Sequence, residues 1–334
     1  MLINKTINLS KTLTLVALAG AVSAASASAL ADQWRGWNIH PPSYPNSIAL
    51  ESFADEVAEK TEGRIEPKIY HNAVLGDQPD AIEQTRNGAL DFANFNMGPM
   101  GPIVSATNIL SLPFIFKSPD DMYRVMDSEI GDRFADALEE KNLMALSWFG
   151  SGARSLYNTD HPVNTPVDVE GLKVRVMNND LYVQMIDELG GNATPMAYSE
   201  VYQSLKTGVI DGAENNYPSY ESSGHYEVAK YYSLTEHLIL PECLCVAKSS
   251  WDTLSAEDQG IVREAAQHAA VEQRQLWKER AETSRQRVLD AGVEINEVED
   301  KAAFQAKMQP IYDDFVAEHP DLESLVEDVQ AAQE

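Results

Sequence analysis

The sequence predicts an α/β protein of two regions, each a largely parallel sheet with helices outside. Three observations predict it. The chain has 334 residues, and the ~300 that follow an N-terminal leader suggest about two domains, with chain enough for two cores. A strand–helix–strand rhythm runs through the first part and returns after Leu143. One helical pattern, from Ser255 to Gly292, is long enough to lie along both regions, about 50 Å at 1.5 Å per residue.

The leader is "MLINKTINLSKTLTLVALAGAVSAASASALADQW". It carries Lys5 and Lys11 and no acid, then an apolar stretch over Leu13–Val22, then small residues ending Ala29-Leu30-Ala31. That order is a secretory signal over 1–31 with cleavage after Ala31. The apolar run falls short of the roughly 20 residues that cross a bilayer. The expected product is therefore soluble and exported.

After it, "QWRGWNIHPPSYPNS" reads as a strand, Trp34–Ile39, broken at Pro41-Pro42. "SIALESFADEVAEKTEG" has apolar residues at helical spacing and stops at Gly63. "RIEPKIY" is a strand, and "LGDQPDAIEQTRNGALDFANFNM" is a turn, a helix and a strand over Asp91–Asn96. Leu143–Phe149 is a buried strand followed by a Gly-Ser-Gly turn. Leu172–Val176 is a strand, and "NDLYVQMIDELGG" a helix stopped by its glycines. "ATPM" is a short strand, and "AYSEVYQSLKTGVIDGAENN" a helix and a strand. "HLILPECLCVAK" is a strand passing between the regions. The long helix begins with Ser255 and Asp258 arranged like a capping box.

The formal charge is −27, and losing Lys5 and Lys11 with no acid takes it to −29. Such a surface repels nucleic acid and anionic lipid. With 44% apolar residues the acidity signals a salt-adapted source rather than disorder. The only cysteines, Cys243 and Cys245, stand two apart on a strand, about 6–7 Å from each other. That is at the limit of disulfide reach, so two small buried side chains are the favoured reading.

Catalytic and cofactor motifs are missing. There is no nucleophile elbow, no H-E-x-x-H and no Walker loop, and "GSGARS" lacks the third glycine of a dinucleotide site. His237, Glu242 and Cys243 do not match metal-ligand spacing. No cofactor and no metal are expected. Fixed polar groups at strand ends stand out instead. Arg175 lies inside the apolar "GLKVRV", where its charge needs either an acid of the protein or an anionic ligand. Arg154 follows a strand at the edge where open α/β sheets bind ligands. Asn215 and Asn216 end "VIDGAENN", and Asn94 and Asn96 end "DFANFN".

These residues sit in stretches with a family likeness. "GLKVRV", "LGGNATPMAYSEVYQSLKTGVIDGAEN" and "YYSLTEHLILPECLCVAKSSWDTLSAEDQ" resemble the DctP-type periplasmic solute receptors of TRAP transporters, as do "FADEVAEKTEGRIEPKIYHNAVLGDQ" and "NGALDFANFNMGPMG". The resemblance spans 32–334. It implies a two-lobed periplasmic-binding-protein-like α/β fold, each lobe a mixed or parallel sheet flanked by helices, with crossing strands and a lobe-spanning helix. The lobes map to 32–151 plus 241–280 and 152–240 plus 281–334. The resemblance implies Arg175 as carboxylate clamp and Arg154 as a second arginine. It makes Asn215, Asn96, Tyr198, Asp77 and Gln78 pocket residues, and His40 and Tyr44 part of the specificity-setting edge. "ENNYPSY" with "HPPSYP" resembles the branch that binds hexuronates such as glucuronate and galacturonate, in which Asn216 and Tyr217 tune the hydroxyl pattern and Glu214 braces an arginine. The implied protein is a monomeric periplasmic receptor, not an enzyme, partnered by TRAP membrane subunits and not by nucleic acid. Another acid (sialate, another sugar acid, a dicarboxylate) or an exported sugar-acid lyase is the alternative.

Overall fold

The structure, a computed structural model, describes residues 32–333. The signal over 1–31 and its cleavage after Ala31 lie outside the described residues. The strands are β1 (Asp32–Trp37), β2 (Ile65–Tyr70), β3 (Phe92–Asn96), β4 (Leu143–Asn158), β5 (Lys173–Val176), β6 (Asn192–Pro195), β7 (Gly212–Asn215), β8 (Tyr231–Ala247) and β9 (Glu294–Glu297). The first-half helices are α1 (Pro45–Lys60), α2 (Gln78–Arg86), α3 (Pro119–Met126) and α4 (Glu129–Glu139). The second half adds α5 (Asp180–Glu188), α6 (Val201–Thr207), α7 (Tyr217–Ser222) and α8 (His225–Val228). Then come α9 (Lys248–Trp251), α10 (Ala256–Asp290), α11 (Lys301–Glu318) and α12 (Glu323–Ala331).

The sheet runs β2-β1-β3-β8-β4-β7-β5-β6, with β9 beside β8. It has an internal symmetry. Three parallel strands, β2-β1-β3, meet β8 antiparallel, and three parallel strands, β6-β5-β7, meet β4 antiparallel. Each lobe is thus a mixed sheet, and the two are joined where β4 and β8 pair with each other. At about 3.4 Å per residue these two strands are long enough to serve both lobes.

Two corrections arise on the crossing strands. β4 does not stop at Phe149 but runs on to Asn158. The expected Gly-Ser-Gly turn is a bulge, where the register against β8 slips between Gly150 and Ala153. Gly152 has φ +61, and a Cβ there would stand 2.7 Å from the Trp277 indole nitrogen. Pro241, which has no N–H to give, lies opposite Gly150 at this break in the ladder. The second correction is that Cys243 and Cys245 form a disulfide. Their Cα atoms are 5.4 Å apart, closer than in an extended strand. β8 is compressed there opposite a second register slip, between Ala145 and Ser147.

α10 is capped as expected, with Ser255 Oγ accepting from the Asp258 N–H at 3.1 Å. Its alanines, Ala265, Ala266, Ala269 and Ala270, let it pack closely against Leu50, Phe53 and Val57 of α1. Farther along, Arg280 and Arg287 hold Glu221 of α7. The helix therefore touches both lobes. α12 returns to the first half, where Asp328 pairs with Arg133 of α4 at 2.6 Å.

Candidate functional site

Between the lobes lies a cavity with ≈ 630 Å³ of empty space, its mouth included. Nine of the residues singled out from the sequence line it: His40, Asp77, Gln78, Asn96, Arg154, Arg175, Tyr198, Asn215 and Asn216. Tyr44 and Tyr217 do not.

The two arginines are in different electrostatic situations. Arg154, on β4, is already partnered. Its Nε and Nη2 donate to both carboxylate oxygens of Glu214 at 2.6 and 2.8 Å, and its Nη1 donates to Asn215 Oδ1 at 2.8 Å. Burial resists ionisation of Glu214, but Arg154 outweighs it and holds the carboxyl at about 2. Glu214 thus braces an arginine, and Arg154 presents a neutralised, oriented edge.

Arg175, on β5, is 4% exposed. Its Nε and Nη2 both donate to one carbonyl, Met196 O, at 3.0 and 2.8 Å. Among the described residues no carboxylate forms an ion pair with it. Burial pulls its pKa below the ordinary value, which Glu214 only partly offsets. The guanidinium remains cationic at neutral pH, with Nη1 left over. Of the two readings open from sequence, an acid of the protein or a ligand, the internal salt bridge falls to Arg154.

Asn215 ends β7 and Asn216 follows as the N-cap of α7, its Oδ1 accepting from the Ser219 N–H at 2.8 Å. Both side chains use their oxygens on the protein. Their Nδ2 groups have no protein partner among the described residues. Tyr217 begins α7 and faces away, stacked on Tyr232 at 4.5 Å between ring centres. Helix geometry turns it out, so it does not tune the cavity directly.

On the other lobe, His40 stacks on Tyr44 at 3.7 Å. Burial, then the nearby Arg154, lowers His40 to about 3, so it is a neutral imidazole. Tyr44 stands behind it and bridges the lobes, its hydroxyl 2.8 Å from Ser219 Oγ. Gln78 is largely spent as a brace, its Nε2 donating to Asn96 O at 2.7 Å. Asp77 occupies the N-cap position of α2 without capping it and accepts from Ser199 of the opposite lobe at 3.3 Å. Tyr198 donates to Ser219 O at 3.1 Å, its ring against the cavity. Asn179 Nδ2 donating to Gly98 O at 2.8 Å, and Tyr182 to Ser111 Oγ at 2.9 Å, add further contacts between the halves. The lobes are closed.

Glu242 was not among the residues singled out. It lines the cavity at 3% exposure, on β8. Asn46 and Asn94 donate to its Oε2 and Asn96 to its Oε1. The Asn94 amide thus serves Glu242 rather than the cavity. Burial raises the carboxyl's pKa despite these donors. Its signal in the sequence is the one that marks Arg175, a charge inside an apolar strand. Met177, Met196, Pro79 and Pro99 supply apolar wall. Among the described residues no three His, Cys, Asp or Glu side chains converge as metal ligands. The arrangement can hold an anionic group at one end and hydroxyls along the rest.

The sequence model of the DctP family, bacterial extracellular solute-binding protein family 7, matches residues 38–319. A solute-binding protein of Chromohalobacter salexigens is 78% identical over 332 residues, 99% of each chain. A TRAP periplasmic solute-binding protein from Chromohalobacter salexigens, solved with bound D-glucuronate, is 83% identical with TM-score 0.89, over 90% of this chain and 100% of that one. Another, from Sulfitobacter sp. NAS-14.1 with bound β-D-galacturonate, is 56% identical with TM-score 0.89 and the same coverage.

Proposed function

The chain belongs to the DctP family of bacterial extracellular solute-binding proteins, and from that premise we propose that it captures a hexuronate, D-glucuronate or D-galacturonate, for delivery to the membrane subunits of a TRAP transporter. The observation that carries this reading is Arg175, a buried cation in a closed cavity with no acid of its own. A carboxylate satisfies it with charge-assisted hydrogen bonds. Amide N–H groups of Asn215 and Asn216 and the imidazole of His40 then meet ring hydroxyls. Likeness to receptors whose structures hold D-glucuronate and β-D-galacturonate supports the ligand class.

Binding begins on one lobe and closure completes the contacts. Exclusion of water strengthens the arginine–carboxylate attraction. The lobe divisions we propose at 151/152 and 240/241 fall at the β4 bulge and at Pro241, and the third, at 280/281, falls within α10; bending at the two strand breaks moves one lobe against the other. The receptor works as a periplasmic monomer and performs no chemistry on its ligand. A thermal-shift screen of organic acids tests the reading. Stabilisation by D-glucuronate or D-galacturonate is expected, with the sugar recovered unchanged. Stabilisation by dicarboxylates or sialate and not by uronates would overturn the assignment, and recovery of an altered sugar would make the protein a lyase.

A further inference from the structure

We propose that Glu242 is a specificity-determining residue of the cavity, accepting a ring hydroxyl of the bound acid and rejecting acids that carry a second carboxylate. The inference rests on the uronate reading and adds what selects among such acids.

The first observation is how Glu242 is held. A carboxylate offers about four lone-pair positions. Asn46 and Asn94 take two on Oε2, and Asn96 reaches Oε1 at a long 3.3 Å. Oε1 retains capacity for another donor, on a residue that lines the cavity. A buried carboxylate without a cation is costly, and among the described residues no cation forms an ion pair with Glu242. Arg154 attracts it through space but is committed to Glu214.

The second observation is the support behind it. Gln273 of α10, fully buried, donates to Asn46 Oδ1 at 2.7 Å and also bonds Gly150 O and N at the β4 bulge, at 2.7 and 3.1 Å. Asn46 in turn donates to Glu242 at 2.7 Å. The long helix, the bulge and α1 together aim amide hydrogens at one carboxylate. Such a relay fixes an acceptor in place before the ligand arrives.

The third observation is position. Glu242 on β8 and Arg175 on β5 are separated along the sheet by β4 and β7. The register sets Arg175 level with Ala213 and Tyr157 and Glu242 level with Phe149, so the two stand apart both across and along the sheet while lining one cavity. With Arg175 on the acid group, the opposite end of a hexose-sized ligand lies toward Glu242. A hydroxyl there donates to Oε1. A second carboxylate there can only accept, and meets like charge in a poorly solvated cavity.

The test uses the full processed chain, the Glu242→Gln and Glu242→Asp variants, and calorimetric titration with D-glucuronate and the hexaric acid D-glucarate. Thermal unfolding confirms that each variant is folded. The unmodified protein prefers D-glucuronate by at least about 100-fold. Glu242→Gln weakens D-glucuronate about tenfold or more and narrows the ratio at least about tenfold. Glu242→Asp keeps the charge but shortens the reach, so it loses D-glucuronate affinity while still rejecting D-glucarate. An unchanged ratio in Glu242→Gln, with D-glucuronate still bound by the unmodified protein, would overturn this inference alone and point to Asp77 at the mouth. Where the unmodified protein binds only D-galacturonate, that uronate and its hexaric acid replace the pair in the titrations; binding of neither uronate would overturn the uronate reading as well.

Discussion

Arg175→Met should remove ligand binding without removing stability. In the closed site the ligand carboxylate would lose its cation. Truncating one partner of a buried, hydrogen-bonded charge pair costs about 2–5 kcal/mol, which is about 30-fold to several thousand-fold in Kd. In the empty protein the balance is different. The guanidinium is buried with one carbonyl and no carboxylate as partner, and an uncompensated buried charge costs several kcal/mol. Methionine relieves that cost and leaves Met196 O without two donors, a loss of about 1–3 kcal/mol. The unliganded variant should therefore unfold at the same temperature as the parent or higher. Thermal unfolding with and without D-glucuronate reads both effects. At 1,000 times Kd, ligand should add about 4 kcal/mol to the parent and a small fraction of that to the variant. A Kd changed by less than about tenfold, or an unliganded variant clearly less stable than the parent, would refute the reasoning.

Other consequences are measurable. His40 and His225 are held neutral down to about 3, by burial and then by Arg154 and Arg175 respectively, from an ordinary 6.5. Between those values the unfolded chain binds more protons, so stability should fall as pH drops from 6.5 toward 3, by about 1.4 kcal/mol per pH unit per histidine. Glu214, depressed from 4.5 to about 2, adds its loss only below 4.5; a flat urea midpoint between pH 6.5 and 5 would contradict the histidine account. Gly152→Ala forces a side chain into φ +61 and against Trp277 and should cost at least about 2 kcal/mol in urea unfolding; a loss under half of that means the bulge relaxes. Tyr44→Phe removes the hydroxyl that joins the lobes at Ser219 and should weaken D-glucuronate binding about 2- to 10-fold by titration.

Much of the architecture was legible because it rests on local signals. Alternation of strand and helix, the cap at Ser255 and the glycine stops each act within a few residues. The crossing strands were read less well. A glycine with positive φ serves a turn and a bulge equally, so "GSGARS" looked like the end of a strand that in fact continues through it. The disulfide depended on a compression of β8 set by its neighbour, which no spacing along the chain reveals. In the site, Arg175 is legible as a charge needing a partner and Arg154 by its place after a strand at the sheet's ligand-binding edge, and the family likeness supplies their surroundings. Which of them is free for a ligand was not legible, because Glu214 reaches Arg154 across two paired strands. The likeness of "ENNYPSY" to the hexuronate branch implies Tyr217 as a cavity residue, whereas the start of α7 rotates it outward. Glu242, weighed only as a metal ligand beside His237 and Cys243, carries in "LILPECLCV" the same signal as Arg175.

Calorimetric titration of the processed chain with D-glucuronate and D-galacturonate tests the central claim most directly. The account predicts one molecule bound per chain for at least one of the two, with Kd raised at least about 30-fold in Arg175→Met. A Kd that changes less than about tenfold on that substitution, or no heat with either uronate, would contradict it.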